Sequence, residues 1–355
     1  MRALSLNRRY FLLGTMGVVM VIVFLYLFID LGKTLEVMSQ ANYALVGAGL
    51  LFVLGGVFLY GAAWDMVLRA MSAPLGLWKA FKVAFASIFL SIVMPMGTIS
   101  GESLRCYLAV KNSTSSTGNV FASVLGHRTI DMTAFLGVSI FGLVYMLRMH
   151  EFLNYTIYAV SLVILLVSVA ISLVLYVIVR PQQTARILDA LFRLVGRLYR
   201  RKDKLEDWKQ KAVVEAGRFH KGIDKLTKKP FHVVYAVTLS TISVICDLLA
   251  TRLVFGSLGL DVPLGIITTA YVVSIAIQTI PVGLPGMVGP VEVSMITIYA
   301  AAGLSAVTAA AATLILRSLS LIMQIVLGGL SAYSSGIDVL KYKERAMFFD
   351  EHPMP

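Results

Sequence analysis

The amino-acid sequence predicts an all-α polytopic membrane protein with six full spans and two re-entrant helical hairpins in an inverted repeat. Three observations lead there: apolar runs long enough to cross a bilayer, positive charge gathered into particular connecting segments, and two apolar stretches broken by proline and glycine. Of 355 residues, 58% are hydrophobic and only 14% are charged. Water-soluble domains run at ~45–50% apolar and ~25% charged, so this chain needs a second solvent. A secreted enzyme, a nucleic-acid-binding domain and a disulfide scaffold are all excluded by that composition. Cys106 and Cys246, the two cysteines, lie in apolar stretches far apart and read as small buried residues.

Crossing a hydrocarbon core of about 30 Å takes roughly 20 apolar residues. Full spans are expected at about 10–30, 43–68, 117–147, 155–179, 231–256 and 304–334. The run from Tyr10 to Ile29 follows Arg2, Arg8 and Arg9. It is too long for a signal peptide and lacks a cleavage site, so it reads as a retained span. Fifteen Lys/Arg against six Asp/Glu fall between Arg180 and Pro230, which supplies nine of the twelve net positive charges. Lys and Arg mark cytoplasmic loops. With Arg8 and Arg9, Arg69, Lys79 and Lys82, Lys111, and the tail from Lys341, they place both termini inside a multi-pass cell-membrane protein.

The expected divisions are a first membrane half at 1–179, a basic segment at 180–230, a second membrane half at 231–335 and a cytoplasmic tail at 336–355. Within the basic segment, Ile187, Leu188, Leu191, Phe192 and Val195, and later Leu205, Trp208, Phe219, Ile223 and Leu226, recur at helical spacing. Two readings stand side by side: a helix pair at 182–229 on anionic lipid headgroups, or a helical hairpin packed beneath the bundle.

Two apolar stretches do not fit as single spans. One, about 80–110, is interrupted at Pro95-Met-Gly97 before Gly101 and Glu102; the other, about 264–302, at Pro281 through Pro290 before Glu292. Proline removes a backbone donor and glycine loosens the turn, so neither stretch continues as one helix. Each arm is short for a crossing. Irregular backbone at membrane depth survives only inside protein or against a water-filled cavity, which predicts that both breaks lie in the bundle interior. Span, hairpin and span then occur twice in opposite directions. Pro95, Glu102 and Arg128 are spaced 7 and 26 residues apart; Pro281, Glu292 and Arg317 are spaced 11 and 25. Inverted repeats with broken helices characterise transporters whose site lies at the repeat interface.

Charged side chains at bilayer depth cost at least ~2.5–3.5 kcal/mol, so each requires a reason. His127, Arg128 and Asp131 share one face midway along the third span; Arg317 sits mid-way in the last; Asp247 and Arg252 lie in the fifth; Glu102, Arg105 and Glu292 follow the breaks. Structural pairing would join Arg128 to Asp131 or Glu102, and Arg317 to Glu292 or Asp247. The functional alternative is an anion site, since guanidinium forks match phosphate oxygens. The expected substrate-binding set is Glu102, Arg105, His127, Arg128, Asp131, Asp247, Glu292 and Arg317. No nucleophile elbow, zinc signature, phosphate loop or Asp-rich metal motif is present, and neither a cofactor nor a catalytic residue is expected.

Pro95-x-Gly97, Gly101-Glu102-x-x-Arg105 and His127-Arg128-x-x-Asp131 resemble the first half of the lysylphosphatidylglycerol synthase transmembrane family. Pro281-x-Gly283, Gly289-x-x-Glu292 and Arg317 resemble its second half, so the likeness covers about residues 10–335. The resemblance implies a flippase-like bundle with two re-entrant hairpins. The best-known members translocate aminoacylated phosphatidylglycerol made by a fused soluble synthase domain. About twenty residues follow the last span here, so translocation is expected and aminoacyl transfer is not. Other bundles of this type accompany glycolipid or polyprenyl-linked sugar assembly, which leaves an integral-membrane enzyme or accessory subunit as the alternative. Expected partners are a phospholipid or polyprenyl-linked substrate and anionic headgroups; nucleic acid is not among them, and monomer and homodimer both remain open.

Overall fold

The computed structural model describes residues 30–94, 98–149, 154–198, 202–279 and 284–335. The described residues are helical throughout apart from short connections. The helices are α1 (Leu31–Ser39), α2 (Tyr43–Ala70), α3 (Leu77–Val93), α4 (Thr98–Lys111), α5 (Thr117–Met149), α6 (Asn154–Val179), α7 (Pro181–Leu198), α8 (Lys202–Thr227), α9 (Pro230–Ser257), α10 (Leu264–Thr279), α11 (Pro290–Ala301) and α12 (Ala306–Ser334). Among these residues, α2, α9, α12 and the Thr117–Tyr145 part of α5 are individually long and apolar enough to cross a membrane. Together with the shorter apolar helices they make a multi-pass membrane protein. The expected span at 10–30 lies outside the described residues.

Helix starts follow local chemistry. The Asn42 side chain accepts from the amides of Ala44 and Leu45, Ser305 accepts from Thr308, and Pro230 opens α9 where its missing N–H costs nothing. Helix α1 was not anticipated. Asp30 caps it by accepting from the Lys33 amide, and it packs on α12.

The most extensive helix contact joins α2 to α9. Gly49 and Gly56, on one stripe of α2, let the backbones close: a Cβ on either would meet the Ala250 or Ser243 carbonyl oxygen at 3.4 and 3.3 Å. Ser243 Oγ donates to the Gly56 carbonyl at 2.8 Å. Small residues and interhelical hydrogen bonds are what hold helices together in lipid, where apolar side chains gain little by leaving the solvent.

Helices α3 and α4, on either side of the first break, fold against each other, as do α10 and α11 around the second. Their onward contacts mirror one another. Helix α3 packs on α2 and on α12, where Gly328 faces Phe85 and Phe89; α10 packs on α9 and on α5, where Gly142 faces Thr268. The first arm of each pair thus reaches the closing helix of the other half. The 3₁₀ turn Pro285–Met287 of the second break rests on α3, with Ile92 Cγ2 3.3 Å from where a Gly286 Cβ would lie. The second break therefore meets the end of α3 beside the first.

At the basic end, α6 turns by 96° into α7. Helix α8 returns beneath α5, burying Phe219, Ile223 and Leu226 against Val67, Met71 and Ala122. Gly118 and Gly222 permit this contact, facing Glu215 and Asn119 respectively.

Gly101 is the tightest point of the first helix pair: a Cβ there would lie 1.9 Å from Ser91 Oγ and 2.5 Å from the Ser87 carbonyl oxygen. Gly101→Val is expected to lower stability by about 1–3 kcal/mol, seen as a lower thermal midpoint in detergent. Gly47, with nothing within 4 Å, should accept alanine without loss.

Candidate headgroup site

Two buried charge clusters form along the bundle, one for each break. The first centres on Arg105, a guanidinium with no exposed surface. Residues three and four apart on α4 and α5 bring its partners into reach. Arg105 donates to Tyr60 Oη at 2.9 Å and to His127 Nδ1 at 3.1 Å, and pairs with Glu102 at 3.6 Å. Its guanidinium carbon sits 4.0 Å from the centre of the Trp64 ring, a geometry that stabilises a desolvated cation through the ring quadrupole. Trp64 is itself fixed by donating Nε1–H to Ser123 Oγ at 3.2 Å.

From His127 the network continues across the helices. His127 Nδ1 lies 3.3 Å from Asp131 Oδ2, and Asp131 Oδ1 accepts from Ser240 of α9 at 2.6 Å. One nitrogen cannot both accept from Arg105 and donate to Asp131, so the His127 proton position decides which neighbour is satisfied. Glu102 Oε2, Arg105 Nε, His127 Nε2 and Asp131 Oδ2 are buried without hydrogen-bond partners among the described residues. Asp247, on α9, accepts from the Tyr271 hydroxyl at 3.2 Å. Tyr271 lies on α10, so this bond ties α9 to α10.

Arg128 stands apart. It is half-buried, close enough to act electrostatically on Tyr60, His127 and Asp131, and makes no hydrogen bond or ion pair among the described residues. Neither of its expected partners, Glu102 and Asp131, engages it.

The second cluster is closed. Arg317 Nε donates to Glu292 Oε1 at 2.6 Å and Nη2 donates to the Gly286 carbonyl at 2.9 Å. The other Glu292 oxygen accepts from the Gly289 amide at 2.6 Å, capping α11. Gly286 and Gly289 have φ of 61° and 105°, backbone that glycine adopts without strain. Arg317 is thereby tied to both the turn and the helix that follows it.

Of the eight residues expected to bind substrate, Glu102, Arg105, His127 and Asp131 are in direct contact in the first cluster, with Arg128 next to His127 in the chain; Asp247 is held separately by Tyr271, and Glu292 and Arg317 form the second. The two clusters do not touch through these side chains. A cavity of about 500 Å³ lies elsewhere, bounded by Phe52, Leu249, Arg252 and Asp261 among others, and none of the eight lines it. Asp65, beside Trp64, is fully buried and accepts from Arg69 Nε at 2.7 Å. Tyr60, Trp64, Ser240 and Tyr271 were missed as site residues. Tyr60 and Trp64, four apart on α2, did carry a signal: two amphipathic aromatics on one face of a span can hold a cation.

The lysylphosphatidylglycerol synthase TM region matches residues 12–328. The chain belongs to that family. Relatives within the lysylphosphatidylglycerol synthase TM group include a UPF0104 membrane protein of Methanothermobacter thermautotrophicus, 27% identical over 83% of this chain and 86% of its own length. A UPF0104 membrane protein of Pyrococcus horikoshii is 24% identical over 90% of this chain and 95% of its own. Another, from Methanocaldococcus jannaschii, is 23% identical over 88% and 92%. No solved structure matches the chain.

The two arginines should separate on mutation. Arg105→Gln leaves Glu102 without its buried partner, and a loss of about 3–5 kcal/mol is expected. Arg128→Gln breaks no pair and should stay within about 0.5 kcal/mol of the parent. Thermal unfolding of both proteins in the same detergent tests the contrast.

Proposed function

We propose that this protein translocates a phospholipid, or a lipid-linked anionic headgroup, between leaflets. The observation that carries the reading is Arg128, which has no hydrogen-bond or ion-pair partner among the described residues, beside a cluster whose other charges are engaged. A half-buried guanidinium in a membrane span is costly unless something neutralises it, and a passing phosphate would do so with two parallel hydrogen bonds. Membership of the lysylphosphatidylglycerol synthase TM family supports a lipid-related role.

In this reading α3–α4 and α10–α11 are re-entrant hairpins of opposite direction within a bundle of six spans, both termini being cytoplasmic. Their mirrored contacts and adjoining breaks support an inverted repeat. Arg128 receives the headgroup near Glu102, Arg105, His127, Asp131 and Asp247. Arg317 becomes available only when Glu292 and the Gly286 carbonyl release it. The two arginines therefore act in turn rather than together. Tyr60 and Trp64 orient Arg105, and Ser240 orients Asp131.

Reconstitution into liposomes with fluorescent phosphatidylglycerol, followed by reduction of outer-leaflet label, measures the movement. Arg128→Gln is expected to reduce the rate at least about tenfold, the loss of roughly 1.4 kcal/mol of binding. Movement at the parental rate in the folded variant, or no movement by the parent with any phospholipid or lipid-linked probe, refutes the proposal.

A further inference from the structure

Helix α7 carries an apolar face that no helix among the described residues covers. Ile187, Leu191 and Leu194 are 44%, 52% and 56% exposed, whereas Leu188 and Phe192 are half-buried. On α8, Phe219, Ile223 and Leu226 are buried under α5, while Val213 and Val214 are 53% and 55% exposed. The two basic helices therefore have different surroundings: the Phe219–Ile223–Leu226 stripe of α8 is covered, and the α7 stripe is not covered by the described residues.

The direction of that stripe is set by the α6–α7 corner. Gln183 Nε2 donates to Tyr176 Oη and Thr184 Oγ1 donates to the Val177 carbonyl, each at 3.2 Å, so the face bearing Gln183 and Thr184 looks back along α6. Residues three, four and seven apart share a helix face. Ile187 lies four after Gln183 and three after Thr184; Leu191 lies seven after Thr184; Leu194 lies seven after Ile187. The exposed stripe thus continues the side that faces the apolar helix α6. With α7 turned 96° from α6, a membrane-crossing α6 lays α7 along the bilayer surface, stripe inward.

Charge on α7 fits an anionic surface. Arg180, Arg186 and Arg193 are exposed, and the sole acidic residue of α7, Asp189, is engaged at 3.0 Å by Lys209 of α8. Arg180 stacks on Tyr176 at the corner, 5.0 Å from the ring centre, where amphipathic aromatics and arginines settle at headgroup level.

We propose that α7 is a bilayer-surface helix whose Ile187–Leu191–Leu194 face is seated in the anionic cytoplasmic leaflet, with Arg186 and Arg193 on its flank at the headgroups. This is independent of what the bundle transports. The test uses the full chain in phosphatidylcholine–phosphatidylglycerol nanodiscs, with an environment-sensitive fluorophore on Leu191→Cys or, as the opposite-face control, the exposed Ala185→Cys. The otherwise unsubstituted chain supplies the background from Cys106 and Cys246. Lipids carrying a nitroxide near the headgroup are expected to quench position 191 severalfold more than position 185, and more strongly with phosphatidylglycerol present than in phosphatidylcholine alone. Equal quenching at the two positions overturns the proposal. So does a blue-shifted label at 191 that lipid nitroxides fail to quench, which would mean a protein surface covers the face. Quenching indifferent to phosphatidylglycerol overturns the anionic-surface assignment.

Discussion

A cation buried among helices in a membrane has no water to fall back on, and the arrangement around Arg105 answers that constraint. Its charge is spread over an aromatic face, a phenol, an imidazole and a carboxylate drawn from three helices. Each of these contacts fixes a helix position. Tyr60 and Trp64 set the rotation of α2, Glu102 that of α4, and His127 that of α5. Asp131 then carries the network to α9 through Ser240. The polar network and the glycine-lined contact of α2 with α9 reinforce each other: one specifies rotation, the other allows the approach that brings the polar atoms within reach.

Apolar helices in lipid have little to distinguish one packing from another, because a leucine is equally well solvated on either face. Specificity must come from shape and from polar groups. Both are concentrated where α3 meets α12 and α10 meets α5, at Gly328 and Gly142. These glycines place the first arm of each broken pair on the closing helix of the opposite half, which holds the halves together across the molecule.

Much of this was legible in the sequence, for identifiable reasons. The bounds of α2, α5, α9 and α12 follow from hydropathy and differ from expectation by one or two residues, since proline, asparagine and serine mark their starts. The pairing of Glu292 with Arg317 was among the expected alternatives, and the alternative with Asp247 loses because Asp247 is taken by Tyr271. The state of Arg128 was not legible. Glu102 and Asp131 are both at plausible spacing, and only the geometry reveals that Arg105 and His127 have occupied them. Helix α1 escaped because nine residues with a single capping aspartate give too short a period. The basic segment divided in a way that spacing alone could not foresee: both its helices are amphipathic, yet only α8 has its stripe buried in the bundle.

Glu292 holds two duties at once, closing the amino end of α11 and neutralising Arg317. If an outside anion drew the guanidinium away, the carboxylate would keep its hold on the Gly289 amide while losing its counter-charge. The negative charge left behind would repel the same anion. Departure of that anion would therefore be favoured by the residue that its arrival displaced.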